Sequence, residues 1–420
     1  MGDKTGGVPD DDDGNGPASD LSAMLRPRHM SRLSFPVCID GRLLDDDYTG
    51  VGHYAARLAQ TLARHGAAPL RLDAVPPAAG GGGVAARLGR YARATLPGAR
   101  TVERLDAGDV GGFSGRLLGR DLFREAYLHF KFRGRLLPVR CPGAPGIMHW
   151  TYPLPLYLEG WRNIYTVHDI IPINRQDLSP VDGARLARLL GRIIERADRL
   201  VTVSEAVRQD VIARWGCAPD FVTACHQATD LDTAHDAAGA GARAHFLYYG
   251  AIEPRKNLVR LARAYRASGS GRPLLIVGQD GWRAQETRAM IGEGGNVRFL
   301  PLQSRDALTG LIRDARAMLF PSLDEGFGLP VAESMALGTP VMASSIPALR
   351  EVAGDGALFV DPLDEAEMSR AIRALDRDDG LCARLRALGV AKAVAYQSSA
   401  YYERLHRIYA DVGGAGAGRA

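Results

Sequence analysis

Short apolar runs, each followed by a helix-length stretch carrying an apolar stripe, recur from one end of the chain to the other. A strand that is apolar on both faces must be covered on both, and a helical crossover to the next strand supplies the cover. The pattern therefore predicts parallel β/α units. Phe35-Pro-Val-Cys-Ile-Asp40 reads as a strand and Tyr54 to Arg64 as an amphipathic helix. Asn163-Ile-Tyr-Thr-Val-His168 reads as a strand, Pro180 to Ala197 as a helix and Arg199-Leu-Val-Thr-Val203 as a strand, after which Ser204 caps a helix running to about Trp215. A second series opens with His245-Phe-Leu-Tyr-Tyr-Gly250 and the helix Leu258 to Arg266. It continues through the strands Pro273–Gly278 and Val297–Leu300, the helix Arg305 to Asp314 and the strand Ala317–Phe320.

The Ala- and Gly-rich stretch 232–243 reads as a linker between the two series. The expected organisation is a tail over 1–31, a first domain over 32–231, a second over 244–397, a C-terminal helix over 398–412 and a frayed end over 413–420. The fold class is α/β, with two doubly wound, Rossmann-like domains facing across a cleft at the carboxyl ends of their strands.

The chain has 420 residues and a formal net charge of +4, distributed unevenly. Its first twenty residues hold six Asp and one Lys among Gly, Pro, Asn and Ser, a composition that cannot build a core and predicts disorder. Met24 and Met30 are alternative starts that would leave this tail out. The rest of the chain then carries +9, much of it between Val84 and Arg140, where twelve Arg/Lys face five Asp/Glu. This segment reads either as a surface for anionic lipid or as an amphipathic helix with a solvated Arg-rich face. No base-reading or stacking module accompanies the charge, so nucleic acid is not an expected partner. Cys38, Cys141, Cys217, Cys225 and Cys382 form no C-x-x-C pair, which fits a reducing compartment without a zinc site or disulfide framework. No apolar run reaches the about 18 residues of a membrane span, and no signal-peptide pattern is present. A cytoplasmic protein is expected, either free or held peripherally at the inner face of the membrane.

Four segments carry candidate chemistry. Glu325-Gly-Phe-Gly-Leu-Pro-Val-Ala-Glu333 places two carboxylates around a Gly pair and a Pro suited to a first helical turn. Glu325 falls in the loop, Glu333 in the first turn, and the helix stops at Gly338. Both acids can face one cleft, although the bare spacing equally fits a loop followed by a core helix. In Gly250-Ala-Ile-Glu-Pro-Arg-Lys-Asn257, Arg255 and Lys256 sit where a strand turns into a helix, an anion site suited to a diphosphate. Thr49-Gly-Val-Gly-His-Tyr54 reads as a Gly loop opening a helix, with Gly50 and Gly52 as a second anion or sugar site. His168-Asp169 lies at the tip of a buried strand. Asp45-Asp-Asp47 and Asp230-Leu-Asp232 match D-x-D, but as acidic loop runs they are not read as metal sites.

From Ala317 to Pro362 the order Phe320-Pro-Ser322, Glu-Gly-Phe-Gly-Leu-Pro-x-x-Glu, Ala-Leu-Gly-Thr-Pro-Val and Glu351-Val-Ala-Gly-Asp-Gly-Ala-Leu-Phe-Val-Asp-Pro362 resembles the signature of the family 4 retaining glycosyltransferases. These are GT-B enzymes, and the nearest resemblance is to the bacterial mannosyltransferase-like group 1 members. It also covers the Glu-Pro-Arg-Lys-Asn pattern, the Gly-x-Gly-x-Tyr loop and the His-Asp pair, with His53 where an Arg is frequent.

The resemblance implies that Glu325 holds donor-sugar hydroxyls, that Gly326, Phe327, Gly328 and Leu329 line the donor, and that Glu333 holds the ribose. Gly50, Gly52 and Gly250 would border the donor phosphates, and Arg255 and Lys256 would take the charge of the leaving diphosphate in place of a metal. His168 would contact the reacting centre, with Asp169 orienting it or touching the acceptor, and the C-terminal helix would cross back to the first domain. The implied reaction moves a hexose, mannose from guanosine-diphosphate mannose in preference to a uridine-diphosphate sugar, to a glycan or polyprenyl-linked acceptor in surface-polysaccharide synthesis. It proceeds with retention and needs no cofactor. The alternative readings are another enzyme on the same scaffold, such as a nucleotide-sugar epimerase or a sugar phosphorylase, and, from a different class, a non-catalytic sugar- or membrane-binding module.

Overall fold

A computed structural model describes residues 2, 33–46, 49–75, 89, 91–93, 95–105, 111–229, 243–292 and 295–414. The acidic tail from residue 3, Met24, Met30, Asp47, the Asp230-Leu-Asp232 run and the linker up to residue 242 lie outside these residues.

The apolar runs form two sheets of parallel strands. In the second, His245–Tyr249, Leu274–Val277, Ala315–Phe320 and Val341–Ser344 are buried along their whole length, as strands covered on both faces must be. The sheet order is Val297–Leu300, Leu274–Val277, His245–Tyr249, Ala315–Phe320, Val341–Ser344, Ala357–Val360, all parallel. In chain order this is 3-2-1-4-5-6, so the winding reverses between His245–Tyr249 and Ala315–Phe320.

The first sheet has eight strands. Seven run parallel in the order Gly115–Arg120, Leu70–Val75, Val37–Asp40, Ile147–Trp150, Arg162–Val167, Arg199–Thr202, Val222–Ala224, and Glu103–Leu105 adds an antiparallel edge beside Gly115–Arg120. Its reversal falls between Val37–Asp40 and Ile147–Trp150. Each sheet therefore opens a crevice at its own switch point. A small parallel sheet of Arg100–Thr101, Leu137–Arg140 and Leu156–Leu158 lies beside the first.

Helix ends follow local chemistry. The Ser204 hydroxyl accepts from the Val207 amide at 3.2 Å to start Glu205–Trp215, and Gly216, with φ of 65°, ends it. Asp182 caps the helix Gly183–Ile194, which is shorter than the expected 180–197 because that cap fixes its start. Between the strands Leu274–Val277 and Val297–Leu300 a further helix, Ala284–Ile291, supplies a crossover that the sequence reading did not mark.

Two expectations are corrected. The Thr49–Tyr54 stretch is not a loop: the Thr49 hydroxyl accepts from the Gly52 amide, so Gly50 and Gly52 form the first turn of the helix Gly50–Arg64. Gly413 and Gly414 are not frayed but end the helix Ser398–Gly414, where a Cβ on Gly413 would lie 2.2 Å from the Phe35 ring. Within the basic segment, Gly115–Arg120 is a strand that turns Leu117 inward and Arg116 and Arg120 outward. The helix Leu122–Arg133 follows it and buries Phe123, Ala126 and Phe130.

The helix Ser398–Gly414 packs on the first sheet's side of the molecule. Tyr402 stacks on His65 at 4.3 Å, and the Tyr409 hydroxyl bonds His149 Nδ1 at 2.7 Å. Asp411 pairs with Arg199, and Ser398 shares a 3.2 Å hydrogen bond with Thr61.

Candidate active site

The loops at the second sheet's switch point are drawn together by backbone geometry. After His245–Tyr249, Gly250 takes φ of 138°, and a Cβ on Gly278 would meet the Gly250 carbonyl at 2.0 Å. A single 3-10 turn, Pro254–Lys256, ends at Asn257, whose φ is 60° and whose side-chain Nδ2 donates to Pro321 O at 3.0 Å and Pro362 O at 2.7 Å. Asn257 thereby ties this turn to the loop after Ala315–Phe320.

The result is a buried ion network. Lys256 Nζ lies 2.5 Å from Glu325 Oε1 and Arg255 Nη1 lies 2.8 Å from Glu325 Oε2, while Arg255 Nη2 donates to Glu253 at 2.8 Å. Burial pushes the Glu325 carboxyl up, but Arg255 and Lys256 outweigh it and hold it at about 2. Burial lowers the Lys256 ammonium, and neighbouring Arg255 lowers it further against the pull of Glu325. Glu325 is thus the counter-anion of the two cations.

The Gly residues of the next segment are demanded by contact. A Cβ on Gly326 would meet the His168 carbonyl at 2.0 Å, so this loop closes against the first sheet's site. Gly328 takes φ of 98°, and a Cβ there would strike Leu349 at 2.4 Å. Ser204 donates to Gly326 O at 2.6 Å, and the Phe327 ring is buried 5.5 Å from Tyr396 and 6.1 Å from His226. The Phe327 side chain is an anchor between the sheets, which leaves only its backbone to face a ligand. The N–H groups of Gly326, Phe327 and Gly328 have no acceptor among the described residues. Leu329 is half-buried at the start of Leu329–Ala336.

Glu333 is the fifth residue of Leu329–Ala336 rather than part of its first turn, because the helix starts one residue before Pro330. It is 4 % exposed. Its Oε1 accepts from Arg57 Nη2 at 2.8 Å and Arg305 Nη2 at 3.1 Å, and its Oε2 from the Tyr249 hydroxyl at 2.8 Å. Burial raises this carboxyl, and Arg57 and Arg305 bring it below its ordinary value. Arg57 and Tyr249 were missed by sequence reasoning. Arg57 had a signal: with Tyr54, Leu58, Thr61 and Leu62 it falls on the buried stripe of an amphipathic helix, where an unpaired charge is too costly to survive.

At the first sheet's switch point the central group is a neutral imidazole, held by a buried carboxylate through Thr151. His168 Nε2 lies 2.8 Å from Thr151 O, a carbonyl that can only accept, so Nε2 carries the proton. Burial lowers the His168 imidazole to about 4, leaving Nδ1 as a lone-pair acceptor at neutral pH. Its orienting partner is Thr151 and not Asp169, whose carboxylate accepts from the Ile171 amide at 3.1 Å. Thr151 is itself fixed by Asp40, at the end of Val37–Asp40, which accepts from the Thr151 amide at 2.5 Å and its hydroxyl at 2.9 Å. Asp40 is fully buried, its Oδ1 has no partner among the described residues, and burial pushes its carboxyl up to about 6 against the Thr151 bonds. Burial also raises Asp169, opposed by Arg255, which places Asp169 in the field of the opposite switch point.

Gly52 is required by the Asp46 carbonyl, which a Cβ would meet at 1.8 Å, whereas a Cβ on Gly50 would meet nothing. Asp45 pairs with Arg71, and Asp46 accepts from Thr49 at 2.8 Å.

The model of Glycosyltransferase Family 4 matches residues 48–233, and that of Glycosyl transferases group 1 matches residues 235–389. The O-antigen chain mannosyltransferase B of Escherichia coli is 30 % identical over 261 residues, covering 57 % of this chain and 67 % of that protein. A D-inositol 3-phosphate glycosyltransferase of Salinispora arenicola is 30 % identical over 264 residues, 53 % of this chain and 57 % of that protein. The chain therefore spans between about half and two thirds of the lengths of these relatives. Among solved structures, a sucrose-phosphate synthase from Thermosynechococcus elongatus superposes with a TM-score of 0.66 at 19 % identity, over 91 % of this chain and 100 % of that one.

Proposed function

The chain belongs to glycosyltransferase family 4, with the GT-B architecture, and from that premise we propose that it moves a hexose from a nucleoside-diphosphate sugar to a glycan or polyprenyl-linked acceptor. The observation that carries this reading is the buried Arg255–Lys256–Glu325 network meeting the neutral His168 through the Gly326–His168 contact.

Arg255 and Lys256 exchange their carboxylate partner for the donor's diphosphate and take the charge that develops as the anomeric carbon–oxygen bond breaks. Glu325, released from them, accepts hydrogen bonds from sugar hydroxyls, and the N–H groups of Gly326, Phe327 and Gly328, which have no acceptor among the described residues, face the same ligand. Gly250 lets the loop pass close to the phosphates, and Gly50 and Gly52 face them from the first domain. Glu333 shares its carboxylate between Arg57, Arg305 and the ribose.

The acceptor hydroxyl attacks from the face the diphosphate leaves. A new carbon–oxygen bond forms, and the acceptor's proton passes to the departing phosphate, so the configuration is retained and no protein nucleophile or divalent metal takes part. His168 Nδ1 and Asp169 position the acceptor. Mannose from guanosine-diphosphate mannose is the favoured donor, and assembly of a surface polysaccharide the setting, both supported by the likeness to an O-antigen mannosyltransferase. The enzyme is placed in the cytoplasm or peripherally on the membrane's inner face. Among the described residues no helix is long and apolar enough to cross a membrane.

A panel of guanosine-, uridine- and adenosine-diphosphate sugars, read by calorimetric binding and by transfer to a lipid-linked glycan, tests the reading. Tightest binding and transfer with guanosine-diphosphate mannose, with an α-linked product seen by NMR, is expected. Binding of none, or conversion of the sugar without nucleotide release, would overturn it.

A further inference from the structure

Tyr127, on the helix Leu122–Arg133, is flanked by two guanidinium groups. Arg42 Nη1 donates to its hydroxyl at 3.0 Å, with the Arg42 Cζ 5.3 Å from the ring centroid and the Arg185 Cζ 5.8 Å from it. Arg42 lies two residues beyond Val37–Asp40, and Arg185 in the first turn of Gly183–Ile194. Both are exposed, and neither has a carboxylate at ion-pair distance among the described residues. Burial keeps the Tyr127 hydroxyl protonated. Its oxygen accepts from Arg42, so its hydrogen remains free to donate. The cluster thus offers hydrogen-bond donors from three side chains and positive charge from two, the chemistry that selects a phosphate.

Two further observations relate the cluster to its surroundings. Tyr152 stacks 6.4 Å from the His168 ring and lies within the fields of Tyr127, Arg42 and Asp169, which joins the cluster to the reacting centre. In the other direction Arg185 opens onto a groove of about 670 Å³ shared with Lys131, Arg188 and Arg192. Its carboxylate, Glu195, is engaged by Arg192 at 2.9 Å through both oxygens, so Lys131, Arg185 and Arg188 have no carboxylate at ion-pair distance among the described residues.

We infer that Arg42, Tyr127 and Arg185 form the acceptor's anion subsite, taking a phosphate or diphosphate group carried by the acceptor, with Arg188 and Lys131 continuing the path for the remainder of that group. The inference rests on the glycosyltransferase reading and makes it specific: the acceptor is phosphorylated. A flat anionic membrane is the weaker fit, because Arg185 and Arg188 line a concave groove with Lys131, and Arg185 also flanks Tyr127 on the side that leads through Tyr152 to His168.

The test uses the full chain with its donor site filled by saturating GDP or UDP, titrated with farnesyl diphosphate, with glucose 1-phosphate and with phosphatidylglycerol vesicles. Arg42→Gln/Arg185→Gln should lose at least tenfold in affinity for whichever soluble phosphate binds the unmodified protein, with nucleotide affinity and melting temperature retained. Arg42→Lys/Arg185→Lys should recover part of the loss. Tighter binding of the prenyl compound identifies a lipid carrier as the source, and tighter binding of the sugar phosphate a soluble one. Unchanged affinity for both soluble phosphates, or a loss confined to vesicles, would overturn the subsite. Failure of nucleotide to bind the unmodified protein would instead count against the glycosyltransferase reading.

Discussion

Both sheets wind in the same order and both reverse at the centre, yet their switch points hold opposite chemistry. The second gathers full charges, Arg255 and Lys256 against Glu325, in an interior where they are strongly coupled. The first holds a neutral imidazole, His168, and a buried acid, Asp40, raised to about 6 by burial, joined through Thr151. The shared winding therefore fixes where a ligand lies, while the residues after each strand decide what it meets. A charged leaving group belongs at the second crevice and a neutral nucleophilic hydroxyl at the first.

The contrast breaks most visibly at Lys256. Lys256→Ala leaves Arg255 to neutralise Glu325, so the chain folds but transfer falls by about a hundredfold to a thousandfold, the usual range for one transition-state charge donor. Rate measurements at saturating donor, beside a melting curve, check this. His168→Ala is expected next, with a loss of about a hundredfold from the acceptor side and donor affinity unchanged, read from single-turnover rates and nucleotide titration. In the unmodified protein the His168 ring, followed by NMR, should not titrate between pH 8 and pH 5, since burial lowers its value to about 4.

Asp40→Asn sharpens the histidine side. A buried acid raised from 3.8 to about 6 favours the folded state when protonated, so wild-type stability is fully present below about pH 4 and falls as pH rises through 6. The Asn variant avoids that fall. Its advantage in chemical denaturation should grow to ~3 kcal/mol at pH 8, a conversion of the shift at 1.36 kcal/mol per unit, while transfer drops by about tenfold through looser positioning of His168. Glu325 runs the other way: its lowered value means stability present above about pH 4.5 and lost as pH falls toward 2. The smallest effect on transfer is expected for Arg57→Met. Arg305 and Tyr249 still hold Glu333, so nucleotide affinity should change by less than about threefold, while breaking a buried pair costs the fold ~3 kcal/mol in the same denaturation experiment.

What the sequence made legible were features with a local cause. Ser204 ahead of an apolar stripe, Pro330 in a first turn and the fully apolar strands gave the α/β class, the Ser204 cap and the loop that presents Glu325. The Thr49 stretch was misread because its Gly pair outweighed the capping signal of Thr49, the feature that extends the helix backward to Gly50. Asp40, Thr151 and Tyr249 stayed hidden, because each acts through a partner distant in sequence, Asp40 and Thr151 on each other and Tyr249 on Glu333. Gly326 was legible as a flexible residue but not as the one that touches His168, a contact only the tertiary structure creates.

The pairing of an ion-paired donor crevice with an acceptor crevice built on a neutral histidine is tested most directly by nucleoside-diphosphate release. Unmodified protein, Lys256→Ala and His168→Ala are compared with the nucleotide sugar that binds, with and without acceptor. If the two crevices divide the work as described, Lys256→Ala loses release under both conditions, and His168→Ala loses only the acceptor-dependent part. Near-normal release by Lys256→Ala with acceptor present would contradict it.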